Sequence, residues 1–321
     1  MQRSNEGKVL SLWGLLLMIL VILSSGCMPD PNVPKGEVRP FTDTTGTAVY
    51  VPLHPQRVVS IGVSTDDILI PLIGPGRIAA ISDLPSNFPE EAKEIRGRVS
   101  MATESVMAWQ PDLVVIPDWA SPDFIQELRS LSLPVYVYHT PTTWEGAVAR
   151  IYELAQVVNE TGKGQALAER SIARMHRLET FIASIPVGER RVAAYDTSLG
   201  FAGGAGSSFD ELCRGAGLRN GLAEAGLGKE EIAGREMVLR ANPDIIFLAS
   251  NSYDKGTYHA VTDNDLYADP ALSGIRAVQG RQVYTIDARW LMSTSEFMVR
   301  AMEDMAAAAY GYTPEPWGDE P

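Results

Sequence analysis

At 321 residues the chain has room for about two domains of roughly 100 to 200 residues each. Its 45% hydrophobic and 21% charged residues exclude wholesale disorder and a polytopic membrane protein. A net charge of −13 repels phosphate backbones and argues against nucleic acid as a partner, and two cysteines, Cys27 and Cys213, are too few for a disulfide framework.

The chain opens with Arg3 and Lys8, an apolar run from Val9 to Leu23, and then Ser24, Ser25, Gly26 and Cys27. A charged start, a short apolar middle and small residues before a cut are the parts of an export signal, and the run is shorter than the roughly 20 residues of a membrane span. A permanent membrane anchor is the competing reading. Leu23 to Cys27 resembles the lipobox of bacterial lipoproteins, which implies acylation of Cys27 and a chain held at a membrane surface. The signal then occupies 1–26, and 27–37, with Pro29, Pro31 and Pro34, reads as an extended tether.

From Val38 to Val51 apolar and polar residues alternate around Asp43-Thr44-Thr45-Gly46, which predicts a hairpin. Apolar runs at Val58–Ile61, Ile78–Ile81, Leu113–Pro117 and Pro134–Tyr138, separated by stretches of helical spacing, predict an α/β lobe with a parallel sheet over 38–160. The stretch Glu104-Ser-Val-Met-Ala-Trp-Gln-Pro111-Asp112 then recurs as Glu236-Met-Val-Leu-Arg-Ala-Asn-Pro243-Asp244. Upstream, Arg57-Val58-Val59 recurs as Arg191-Val192-Ala193 at nearly the same interval. A duplicated lobe, the second over 187–312 with a tail at 313–321, explains both repeats better than chance helix-Pro joints. Between them, 161–186 carries Leu167, Ile172, Met175, Leu178 and Ile182 on one helical face and ends at Pro186. A helix of that length spans about 35 Å, enough to join two lobes.

These features together resemble the substrate-binding proteins of iron-siderophore, haem and cobalamin ABC importers. The resemblance rests on the acylated start, the hairpin followed by His54-Pro55-Gln56-Arg57, the two Glu…Pro-Asp joints and the central helix, and covers about 38–312. It implies class III periplasmic-binding-protein architecture: an α/β fold of two Rossmann-like lobes, with mostly parallel sheets, joined by a single long helix. It further implies a monomeric, non-enzymatic receptor that holds a metal chelate, with no resident cofactor or protein metal site. That receptor would deliver its cargo to an ABC permease and its ATPase, docking through Glu104 and Glu236. A negative residue near the N-terminus of each short helix, with Thr103 as a cap, is the plainer account of those two.

Ligands of open α/β sheets bind beyond the carboxyl ends of the strands. That rule selects Trp119 and Trp290 first, then Tyr138, Tyr195, Phe88, Phe201, Tyr253 and Tyr258, whose flat side chains suit a macrocycle or chelate. Arg289, with Arg98 and Lys255, suits an acidic ligand, while His139, His259 or a loop tyrosine could coordinate haem iron. Gly203 to Ser208 lacks the residues of a nucleotide loop and reads as a tight turn, and Cys213 as a small buried residue. A Zn or Mn carrier would need about three His, and only four exist, one of them (His176) on the connector. An extracytoplasmic chelatase-like enzyme and a surface lipoprotein without transport remain alternatives on the same fold.

Overall fold

The structure is a computed structural model that describes residues 37–250 and 261–317; Cys27, the signal, the tether, Tyr253, Lys255, Tyr258 and His259 lie outside them. Two separate five-stranded sheets and a hairpin account for the strands. The hairpin pairs β1 (Val38–Thr42) with β2 (Ala48–Pro52) in antiparallel register. Its turn is tied down by Asp43, whose buried carboxylate accepts bonds from Thr45, Thr47, Arg129 and the Val137 amide. Gly46 supplies the positive φ of 76° that closes the turn.

The first lobe holds a wholly parallel sheet of β3 (Val58–Ser60), β4 (Ile78–Ser82), β5 (Gly97–Val99), β6 (Leu113–Pro117) and β7 (Val135–Tyr138), in the order β5-β4-β3-β6-β7. Between the strands run α1 (Val63–Ile73), α2 (Pro89–Glu94), α3 (Thr103–Met107) and α4 (Pro122–Ser130). Strand β6 is buried at every position, as a central strand covered on both faces must be.

Two helices follow: α5 (Trp144–Val157) and the 23-residue α6 (Thr161–Ala183). The expected connector is therefore present, but it is not alone. Trp144 and Ala147 at the start of α5 pack in the second lobe's core, whereas Ile151 and Leu154 pack in the first. Both helices thus cross the boundary, and they touch closely where Gly164 of α6 meets Ala155 of α5.

The second lobe orders β8 (Val192–Thr197), β10 (Arg219–Asn220), β11 (Ile245–Ala249) and β12 (Val283–Ile286) as β10-β8-β11-β12, all parallel, with β9 (Gly200–Ala202) antiparallel on β8. Its helices are α7 (Ser208–Gly215), α8 (Gly221–Glu224), α9 (Arg235–Ala241), α10 (Asp263–Ala268), α11 (Arg276–Gln279), α12 (Ala288–Leu291) and α13 (Met298–Tyr310).

The sequence repeat has a structural meaning. In the first lobe Asp112 opens β6, and its carboxylate accepts from the amides of Gln56 and Arg57 at 2.7 and 2.9 Å, just before β3. In the second lobe Asp244 opens β11 and accepts from the Val192 amide at 2.8 Å, at the start of β8. The residue two before each Asp is left-handed: Gln110 has φ 48° and Asn242 has φ 41°. In both lobes an Arg binds that joint: Arg57 the carbonyl of Gln110, and Arg191 the carbonyl of Asp244. The Pro-Asp pair therefore starts one strand and pins it to its parallel neighbour, which is why it recurs.

A Cβ at Gly164 would lie 2.2 Å from the Ala155 Cβ, whereas one at Gly162 meets nothing within 4 Å. Intrinsic helix propensity favours Ala over Gly by about 1 kcal/mol at either site. We expect Gly162→Ala to be neutral or stabilising and Gly164→Ala to destabilise by about 1 to 3 kcal/mol through overpacking. Paired urea titrations followed by circular dichroism check the difference in sign.

Candidate functional site

A cavity of about 440 Å³ lies between the lobes, lined from the first by Asp118, Trp119, His139 and Thr140–Thr142, and from the second by Tyr195, Gly203, Ser207–Phe209, Lys229, Glu230 and Thr294. Its volume suits a drug-sized ligand or larger in an open cleft. The carboxyl ends of β6, β7 and β8 all deliver residues to it. A larger cavity of about 640 Å³ borders α6 and the C-terminal segment instead, where Trp317 stacks on Phe297 and lies under Arg174.

Each wall of the cleft is built by its local sequence. Trp119 sits on the turn between β6 and α4, with Ser121 capping α4 through the Phe124 amide. It is 59% exposed, which marks an indole presented outward and not packed in a core. Asp118 accepts from the Thr140 amide at 3.1 Å and meets His139 Nδ1 at 2.6 Å. Partial burial disfavours its charge, but those hydrogen bonds outweigh burial and hold its pKa below the ordinary carboxylate range. When Nδ1 of His139 carries the proton and donates it to Asp118, the exposed ring presents Nε2 as a candidate ligand. Across the cleft Tyr195 stacks on Phe209, centroids 5.3 Å apart, to make a flat aromatic surface.

Trp119, His139 and Tyr195 are thus the sequence candidates that the fold brings together. The other described candidates lie elsewhere. Tyr138 is 2% exposed, its hydroxyl spent on Thr65 at 2.6 Å, and Phe201 is buried in the second lobe's core. Phe88 borders the cavity beside α6, edge-on to Phe297. Trp290 lies under Arg300, 3.6 Å from its guanidinium, and does not line the 440 Å³ cavity. Arg289 pairs with Asp287 and reaches the Ser86 carbonyl, and Arg98 is absorbed by the carbonyls of Ala92, Ile95 and Gly97. The glycine turn at 203–206 does form the cleft wall: Ser207 caps α7 through the Asp210 amide, and Cys213 is buried with its thiol pKa pushed up by burial. Among the described residues no group of three or more His, Cys, Asp or Glu is arranged to hold a metal ion.

Glu104 and Glu236 stand in the first turns of α3 and α9, and both are exposed. Thr103 is not the cap: Ala102 occupies that position, and the Thr103 hydroxyl is buried without a hydrogen-bond partner.

With the duplicated lobes and their cleft established, comparison with known proteins places the chain. The family model described as "Periplasmic binding protein" matches residues 58–290. The chain belongs to that family. A cobalamin-binding protein of Halobacterium salinarum is 21% identical over 257 residues, covering 75% of this chain and 69% of that protein. The fold is shared with the periplasmic haem-binding protein RhuT of Roseiflexus sp. RS-1 in its apo form, at TM-score 0.70 and 20% identity over 80% of this chain and 98% of that one. It is also shared with the haem-binding protein HmuT, at TM-score 0.72 and 18% identity over 88% of this chain and 93% of the other. These are binding proteins, and the two-lobed class III architecture is theirs as well.

Residues that the sequence reading did not single out include buried polar and acidic groups in both lobes. Asp66 and Asp67, adjacent on α1, are both buried, as are Ser293, Ser295 and Glu296 of the second lobe. Two adjacent Asp one turn into an otherwise apolar helix were the available signal. Asp66 accepts from the Ser82 amide at 3.2 Å and from its hydroxyl. Burial outweighs those bonds and pushes the Asp66 pKa up to about 8. The folded protein therefore holds a proton that the unfolded chain releases near pH 4, and the associated stability is lost as pH rises through about 8. The melting temperature is expected to fall between pH 5 and pH 9, by on the order of 5 °C or more, and Asp66→Asn to flatten that fall. Differential scanning calorimetry across the range checks both.

Proposed function

We propose that this protein is an extracytoplasmic, lipid-anchored receptor of an ABC importer, acylated at Cys27. It captures a metal chelate between its lobes and hands it to the permease, without enzymatic activity. Among chelates, the geometry favours a tetrapyrrole (haem or a corrinoid) over a ferric siderophore. The observation that carries this is the His139–Asp118 pair in the cleft beside Trp119. A siderophore already saturates its iron and needs no protein ligand, whereas a tetrapyrrole leaves axial positions that a neutral imidazole can fill. The Tyr195–Phe209 surface and the Trp119 indole offer area to a planar ring with few rotors to freeze.

Haemin, cobalamin and a ferric siderophore titrated into the full chain in detergent test this reading. Haem or corrinoid binding with an absorption shift is expected, together with loss of that shift and about tenfold weaker binding in His139→Ala. Trp119→Ala is expected to weaken binding without altering the axial signature. Preference for the siderophore, or a spectrum indifferent to His139, would overturn it.

Delivery rests on Glu104 and Glu236. The fold accounts for the Pro-Asp half of each repeat as a strand joint and leaves the two carboxylates exposed, one per lobe. Two separated anions meeting guanidinium forks fix orientation more than affinity. Charge reversal at both positions is expected to preserve ligand affinity and abolish uptake in a transport assay.

A further inference from the structure

The loop from Ser293 to Phe297 belongs to the second lobe, yet its bonds run to the first. Thr294 donates its amide to Ser64 Oγ at 2.9 Å, and its hydroxyl lies 3.1 Å from the same atom. One turn further along α1, Asp67 accepts from the hydroxyls of Ser293 and Ser295, each at 3.0 Å. The same carboxylate accepts from Asn87 Nδ2 at 3.1 Å to both oxygens, and Asn87 also reaches the Arg289 carbonyl at 3.4 Å. Asp67 is fully buried. Thr294, held between these contacts, lines the ligand cleft.

We propose that Asp67 is the positioning residue of the cleft: by gripping Ser293 and Ser295 it fixes Thr294 and sets the separation of the lobes around the ligand. The ligand half of this statement rests on the reading of the cleft given above; the lobe separation does not.

A second carboxyl makes the grip sensitive to pH. Glu296 is buried and neither of its oxygens has a hydrogen-bond partner. The charged groups facing the pair are Asp66 on the same helix as Asp67, Arg289 toward Asp67, and Arg170 of α6 toward Glu296. Burial raises both acids, Asp67 to about 7 against four donated bonds and Arg289, and Glu296 well above its ordinary value, with the Asp67 charge adding to it. The acid with donors therefore ionises first and the acid without them last. When Glu296 loses its proton, a further negative charge appears beside Asp67 in a buried place, and the seam loosens on the alkaline side.

The test uses spin labels at two exposed positions, Gln126 in the first lobe and Arg240 in the second, on the full ligand-free chain in detergent. Pulsed dipolar spectroscopy reads the distance between them from pH 7 to pH 10. The native chain should show a narrow distribution at pH 7 that lengthens or broadens toward pH 10. Glu296→Gln should reduce that pH dependence to the part that Asp66 supplies near pH 8, and Asp67→Asn should broaden the distribution at every pH and weaken haemin binding about tenfold. The Ser293→Ala, Ser295→Ala double variant keeps Asp67 within its own lobe and should broaden it likewise, so a misfolded Asp67 variant leaves the question answerable. Native distances in both the Asp67 and the double-Ser variant, or an unchanged pH profile in Glu296→Gln, would overturn the proposal. Distances that respond while no variant binds haemin would sink the tetrapyrrole reading alone.

Discussion

A buried carboxylate shared by two bodies restrains them as long as its hydrogen bonds survive. Asp67 is in that position: its donors come from its own lobe and from a loop of the other. Parting the lobes at this point breaks the Asp67 bonds to Ser293 and Ser295, each worth on the order of 1 kcal/mol or more. The cleft wall beside it, with Thr294 in common, therefore inherits its geometry from the seam. Behind the seam, α5 and α6 cross the boundary together, and a helical pair resists bending more than loop hinges do. Trp144 strengthens the crossing, since its amide donates to Glu211 of the second lobe at 2.9 Å while its ring sits in that lobe's core.

Each half has its own sheet and core and still presents an edge to the cleft. The Pro-Asp joint performs one local task twice: an Asp carboxylate receives the amides that begin the neighbouring parallel strand. Parallel pairing gives no hairpin to set register, so a fixed side-chain bond at the strand starts does that work. Because the joint is local and its residue types are demanding, it was visible in the linear sequence. So were β3, β4, β6 and β7, whose continuous apolar runs follow from burial on both faces, and the connector, whose apolar face repeats at helical spacing. Strand β5 was not visible: three residues around Gly97 carry no periodicity, and the glycine is required because a Cβ would collide with the Ala79 carbonyl at 2.3 Å.

The site was legible in proportion to how local its determinants are. Trp119, His139 and Tyr195 directly follow or end strands, and a topological rule selects that location. The same rule selected Tyr138, Phe201 and Trp290, and the sequence has no means of telling an aromatic that turns outward from one that packs inward. Tyr138 turns inward because Thr65 of α1 meets its hydroxyl, a contact across 73 positions. Trp290 is covered because Arg300 of α13 lies on its face. The acidic seam was beyond reach for the same reason: Asp67 and Ser293 are 226 positions apart, and only the packed lobes make them partners.

The His139–Asp118 pair narrows the chemistry of the cleft further than fold alone can. The Asp118 carboxylate at 2.6 Å from Nδ1 orients the His139 ring before any ligand arrives. For an axial ligand that contact lowers the ordering cost of binding and makes the nitrogen a stronger donor to iron or cobalt. Under the proposed function, a ring that is 67% exposed beside an exposed indole, with a stacked tyrosine and phenylalanine on the facing wall, would suit an open-faced metal macrocycle.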